Sequence, residues 1–300
     1  MLNWLRRRFA GALPRGRTAR AVPDALWQAT LAHYPFLAEL DDAAQSRLRE
    51  MSSAFLGQKE FFGAGGLIIT DAMALAVAAQ ACLPLVYLAP PGNPAAALGW
   101  YDDFVGVVLH PGEVVARREV TDEDGVVHHY REALTGEAMD GGPVMLSWAD
   151  VADAGHTAAQ GYNVVIHEFV HKMDLRDGEA DGCPPLPAGF MGTASVAEAR
   201  RQWRARLQAE FEKFSDQVAA AERFGSLVDT PWLDPYAAES PSEFFAVASE
   251  AYFVNPGKLQ AQSAGLHDLL DAFFRPPQRD RKSTRLNSSH IQKSRMPSSA

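Results

Sequence analysis

The stretch that most limits the fold is Val164-Val165-Ile166-His167-Glu168-Phe169-Val170-His171-Lys172-Met173. Its apolar residues fall nearly all round a helix, so a helix here has no solvent face and must be buried. Yet it carries two histidines and a glutamate. Polar groups of this kind are costly to bury unless something partners them. The rest of the chain must therefore surround the helix, and 300 residues with 47% hydrophobic content are enough to do so.

His167 and His171 stand at i and i+4, which puts both imidazoles on one face about one turn apart. That spacing suits two ligands of one tetrahedral zinc. Glu168 follows the first histidine and faces a water on the metal, whose pKa zinc lowers to about 7 in typical sites. The carboxylate would take that proton and later deliver it to a leaving amine. Position 177 is Asp, so no third histidine follows at the spacing of a metzincin. A carboxylate from a later helix must complete the site. Periodicity leaves Glu198, Glu210, Glu239, Glu243 and Glu250 open. Glu243 and Glu250 lie seven apart, on one face of a helix, and Ser240-Pro241-Ser242-Glu243 is also a capping box with proline at the first helical position. Asp174 would orient a ligand histidine, pair with Lys172 or Arg176, or end the helix. Tyr162 and Asn163 read as residues that open it.

Along the chain, helices are expected at Ala25 to His33, Asp41 to Leu56, and from a Thr70-Asp71 cap to Ala81. Phe61 and Phe62 lead into a Gly-Ala-Gly-Gly turn. Strands are expected at Leu83 to Leu88 and Val105 to Leu109, and in a hairpin of Val114 to Val120 with Val126 to Tyr130. Pro143 to Trp148 is a further strand, read as a sheet edge on which a peptide could lie. Helices return at Val164 to Leu175, Ala197 to Phe224, Ser240 to Phe253 and Leu266 to Phe274. Strands first and helices later mark an α+β domain.

The charge of -9 conceals basic ends. Residues 1–20 carry six arginines and residues 281–300 five basic residues, with no acid in either. The remainder holds 17 basic against 37 acidic residues, which speaks against nucleic acid as a partner. Residues 1–22 read as a disordered basic arm, 23–279 as the folded domain and 280–300 as a disordered or non-native tail. Cys82 and Cys183 make no disulfide framework and lack the spacing of a structural zinc site. No apolar segment follows the N-terminal arginines as in a secretory signal, and no run is long enough to span a membrane. A cytoplasmic protein is the expectation. His110, His128, His129, His156, His267 and His290 are given no role.

The run Asn163 to Asp174, with Gly178 and Ala180-Asp181-Gly182, closely resembles the Mlc titration factor A family of zinc peptidases. Asp234-Pro235-Tyr236-Ala237-Ala238 and Pro241 to Glu250 match that family's second signature, and the likeness spans about 25–275. It implies a zincin-like single domain with a small mixed sheet packed on helices and the motif helix beneath it. It also implies a gluzincin-type site, similar in plan to the anthrax lethal factor catalytic domain, with Glu243 as third zinc ligand and Tyr236 donating to the oxyanion. Aminopeptidase-like activity on small substrates and binding of the transcriptional repressor Mlc are implied as well. The alternative is a regulatory protein that sequesters a transcription factor around a non-catalytic zinc site.

Overall fold

The computed structural model describes residues 21–112, the backbone of 115–121 and 127–133, and residues 142–276. The expected arm up to residue 20, the hairpin turn and the 280–300 tail lie outside the described residues. The chain opens with α1 (Asp24–His33), α2 (Pro35–Ala38) and α3 (Asp42–Gln58), then β1 (Glu60–Gly63) and α4 (Asp71–Cys82). Strands β2 (Gly106–His110), β3 (Val115–Thr121), β4 (Val127–Ala133) and β5 (Val144–Ser147) follow. Next come α5 (Trp148–Thr157), the motif helix α6 (Val164–Asp174) and the long α7 (Val196–Phe224). The last helices are α8 (Pro241–Val254), α9 (Pro256–Gln262) and α10 (Ala264–Phe274). The architecture is α+β.

The strands separate by pairing mode. β1, β2 and β5 form a parallel sheet in that order, with Phe62 beside Val108 and Val108 beside Met145. β3 and β4 form the expected antiparallel hairpin as a ladder of their own. Among the described residues the two modes sit in two small sheets, one parallel and one antiparallel. Parallel neighbours need long crossovers, and α4 and the hairpin lie within those connections. Val107, Leu109, Val144 and Leu146 turn one face of the parallel sheet into the core, by the two-residue alternation of a strand. β5 is one edge of this sheet among the described residues, as expected for Pro143 to Trp148, and α6 packs against it.

One expected strand is absent. Leu83–Leu85 is a 3-10 turn continuing α4, with Val86 N–H bonded to Leu83 O at 3.2 Å and Leu88 N–H to Leu85 O at 3.0 Å. A short apolar run looks the same in a buried strand and a buried helix. Pro84 fits the start of a helical turn, where its missing N–H costs nothing. Other elements were not anticipated. β1 includes Phe61 and Phe62 as a strand, Ser147 caps α5, and Asn255 caps α9.

Two aromatic clusters hold the central helices. Phe169, on α6, meets Tyr101 at 4.9 Å and Phe55 and Phe104 at 5.7 Å between ring centroids. Phe245, on α8, meets Trp203 at 5.6 Å, while Phe244 meets Phe211 at 5.7 Å and Phe214 at 5.6 Å. Such pairs contribute about 0.5–1.5 kcal/mol each beyond burial. The stripe Ala199, Trp203, Leu207, Phe214 and Val218 lays α7 on this core. α6 and α8 are thereby pressed together, which sets the geometry of the site between them.

Candidate metal centre

The motif helix starts where the sequence places it. Asn163 is its N-cap, its side-chain oxygen accepting from Ile166 N–H at 2.9 Å, and its side-chain NH2 donates to Gln80 Oε1 at 2.7 Å. The cap fixes the first turn, so the rotation of α6 about its axis is set before its ligands are reached. Across from it, Ser240 caps α8 by accepting from Glu243 N–H at 3.1 Å. The main chain of Glu243 serves the cap while its carboxylate turns to the histidines. The two readings of that residue coexist.

Three ligand atoms converge between the helices. His167 Nε2 lies 3.1 Å from His171 Nε2 and 3.1 Å from Glu243 Oε2. His171 Nε2 lies 3.2 Å from the same oxygen. In a tetrahedral zinc site with bonds near 2.05 Å, ligand atoms stand about 3.3 Å apart. The triangle observed is close to one face of that tetrahedron. The donor chemistry fits too. Two imidazole nitrogens and one carboxylate oxygen are a donor set that suits zinc. No other group of three or more histidine, cysteine or acidic side chains among the described residues converges in this way.

The far sides of both imidazoles are engaged. His167 Nδ1–H donates to Glu250 Oε1 at 2.7 Å, and the other oxygen of Glu250 accepts from Asn163 N–H. His171 Nδ1 lies 3.3 Å from Ser242 Oγ, and Ser242 donates to Asp174 Oδ2 at 2.8 Å. The hydroxyl proton is committed to Asp174, so Ser242 accepts from His171. Asp174 Oδ2 also accepts from Gly182 N–H at 2.8 Å. A side chain at Gly182 would stand 2.5 Å from Pro241 O, and its φ of +76° favours glycine. The loop can approach Asp174 only because that position is glycine.

The charges follow from this packing. Burial works against a proton on His167, but Glu250 and Glu243 outweigh it and hold the imidazole well above its ordinary range. Burial opposes ionisation of Glu243 as well, yet the two histidines win and hold it far below the usual carboxylate range. Glu168 goes the other way. Burial pushes it up, against the pull of His167 and His171. Asp174 is pushed up to about 6, chiefly by burial. The Glu168 side chain makes no hydrogen bond or ion pair with the described residues, and the residue is half-buried beside His167 and His171. Tyr236 stands on the 3-10 turn Pro235–Ala238, fixed by Tyr236 N–H donating to Asp234 Oδ1 at 2.9 Å. The residue is 40% exposed, and its ring centroid lies 6.3 Å from that of His167.

The structure therefore brings together His167, His171 and Glu243, with Glu168 and Tyr236 at the rim. Of the other carboxylates read from periodicity, Glu198 caps Ala194 N–H at 2.8 Å, Glu210 accepts from Ser263 at 2.8 Å, and Glu239 is exposed. Glu250 is in the site but on the far side of His167. Asp174 reaches His171 only through Ser242, and pairs with neither Lys172 nor Arg176. Lys172 instead bonds Gly142 O at 3.3 Å, next to β5, and faces Asp103 at 3.7 Å. Ser242 and Gln80 were missed by sequence reasoning. The seven-residue spacing of Glu243 and Glu250 was the one signal pointing to a second carboxylate on that face.

Residues 2–275 match the family of glucose-regulated metallo-peptidase M90. The chain is 30% identical over 250 residues to Mlc titration factor A of Pectobacterium atrosepticum, covering 83% of this chain and 85% of that one. It is 33% identical over 231 residues to Mlc titration factor A of Cronobacter sakazakii, covering 77% and 78%. To the protein of that name from Yersinia pestis (strain Pestoides F) it is 31% identical, covering 84% of each. Family membership implies a metal, and the His167, His171 and Glu243 group is one that could hold it. No helix among the described residues is long and apolar enough to cross a membrane. With two signatures in order and a metal-ready triad between two buried helices, the chain belongs to the glucose-regulated metallo-peptidase M90 family, that of Mlc titration factor A.

Proposed function

We propose that this chain is a zinc peptidase of the gluzincin type whose catalytic domain runs over 23–279. The observation that carries the reading is the convergence of His167 Nε2, His171 Nε2 and Glu243 Oε2 at 3.1–3.2 Å, with Glu168 beside them and without a hydrogen-bond partner among the described residues. Zinc held by these three residues would supply Lewis acidity, making water a nucleophile near neutral pH and polarising a peptide carbonyl. Glu168 is the general base and then the general acid. A carboxylate next to the first ligand histidine can both take and return that proton. Tyr236, at the open rim, donates its phenol hydrogen to the oxyanion that develops on the substrate carbonyl. The extended substrate pairs with the edge of β5, which packs on the motif helix.

The test uses small amino-acid amides and peptides with free or blocked N-termini. Hydrolysis is expected to stop with a chelator and to return with zinc. Glu168→Gln should keep its zinc and lose hydrolysis. Full activity in that variant would overturn the mechanism. A strict need for a free N-terminus would make the enzyme an aminopeptidase, whereas cleavage of blocked peptides would make it an endopeptidase.

The relatives' name favours a second role beside the first. Proteins called Mlc titration factor A carry Mlc in their name. A repressor of the Mlc kind is the partner to test, by pull-down with wild type and with Glu168→Gln. Capture by both would separate the binding role from catalysis. Retained capture together with no hydrolysis by wild type would favour the regulatory reading alone.

A further inference from the structure

Glu250 has a role that neither the ligand triad nor the proton transfer requires. It is 1% exposed, on the same helix as Glu243 and two turns further on. Both its oxygens are committed, one to His167 Nδ1–H at 2.7 Å and one to the main-chain N–H of Asn163. Neither oxygen faces the ligand triangle. Asn163 caps the motif helix, so Glu250 grips that helix at its cap and at its first ligand together. The second histidine is held less directly, through a hydroxyl at 3.3 Å that passes to Asp174.

A neutral imidazole has one N–H and one lone pair. A carboxylate accepts and cannot donate, so Glu250 commits the hydrogen to Nδ1 and the lone pair to Nε2. That lone pair faces His171 Nε2 and Glu243 Oε2 at 3.1 Å. We propose that Glu250 is a positioning residue of the metal centre, fixing the tautomer and aim of His167. The inference rests on the zinc-site reading above but not on any catalytic activity. Outer carboxylates on ligand histidines typically raise metal affinity 10–100-fold.

Glu250→Gln is the sharp test because its shape is nearly unchanged. Its single carbonyl oxygen cannot accept from both Asn163 N–H and His167 Nδ1–H. If the oxygen serves Asn163, the amide N–H faces Nδ1 and demands the wrong tautomer. Zinc affinity is measured by competition with a chelator, and folding of the metal-free protein by circular dichroism and Tm. Zinc affinity in Glu250→Gln should fall by roughly 10–100-fold, and Glu250→Asp should recover part of it. A merely structural role would lower Tm and leave zinc affinity unchanged, which would overturn the proposal. Should Glu250→Gln fail to fold, the unmutated protein still decides. NMR of the zinc-loaded chain with isotope-labelled histidine should show His167 protonated at Nδ1 and metallated at Nε2. The reverse assignment would overturn the proposal. Because neither readout requires turnover, an inactive wild type would sink the peptidase reading without touching this one.

Discussion

Helices α4 and α6 pack against each other in the centre of the molecule, and both are apolar over most of their length. α4 buries one strongly polar side chain, Gln80. That amide donates to Ala76 O at 3.1 Å and accepts from Asn163 at 2.7 Å. Donor meets acceptor, and the helix needs nothing further. On α6 the situation is reversed. The two Nε2 atoms and the Glu243 oxygen face one another, and each offers a lone pair once both Nδ1 atoms hold their hydrogens. Three acceptors cannot satisfy each other, because only a proton or a cation placed among them relieves the arrangement. Burial of polar groups is therefore no mark of a site by itself. The mark is a set of acceptors aimed at one point, with every outward hydrogen already committed.

The comparison can be broken from either side. The larger effect is expected on the α6 side. Tyr236→Phe should lower kcat by about 10²–10³-fold, the usual loss for one oxyanion donor, with zinc content unchanged because the phenol is not one of the three ligands. A matching fall in Tm would mean that Tyr236 is part of the packing rather than the chemistry. The smaller effect belongs to α4. Gln80→Met leaves the Asn163 amide without its buried acceptor and should cost about 1–3 kcal/mol in urea unfolding. Zinc affinity should be retained. Loss of zinc without loss of stability would show that α4 belongs to the site and that the contrast is false.

Much of this was legible in the sequence, for reasons that are local. The apolar flanks of His167 and His171 announced a buried helix, and Asn163, Ser240 and Thr70 announced their helix starts through side-chain caps. The α+β class followed from the order of elements. What stayed hidden depends on distant packing. Leu83 to Leu88 has the composition of a strand and became a turn because α4 runs on into it. Periodicity placed Glu243 and Glu250 on one face but could not tell which would face the metal. Only the depth of α6 against α8 decides that Oε2 of the first meets Nε2, and Oε1 of the second meets Nδ1. Ser242 looked like part of a capping box, and its tie to Asp174 and His171 needs the 178–183 loop, which no periodicity describes.

In the proposed site, two imidazoles and Glu243 hold zinc and Glu250 stands behind His167. A crystal structure of the zinc-loaded protein, with the metal located by its anomalous scattering, tests this most directly. One zinc is expected on His167 Nε2, His171 Nε2 and an oxygen of Glu243, with Glu250 still on His167 Nδ1. Zinc bonded to Glu250 in place of Glu243, or bound away from the two histidines, would contradict it.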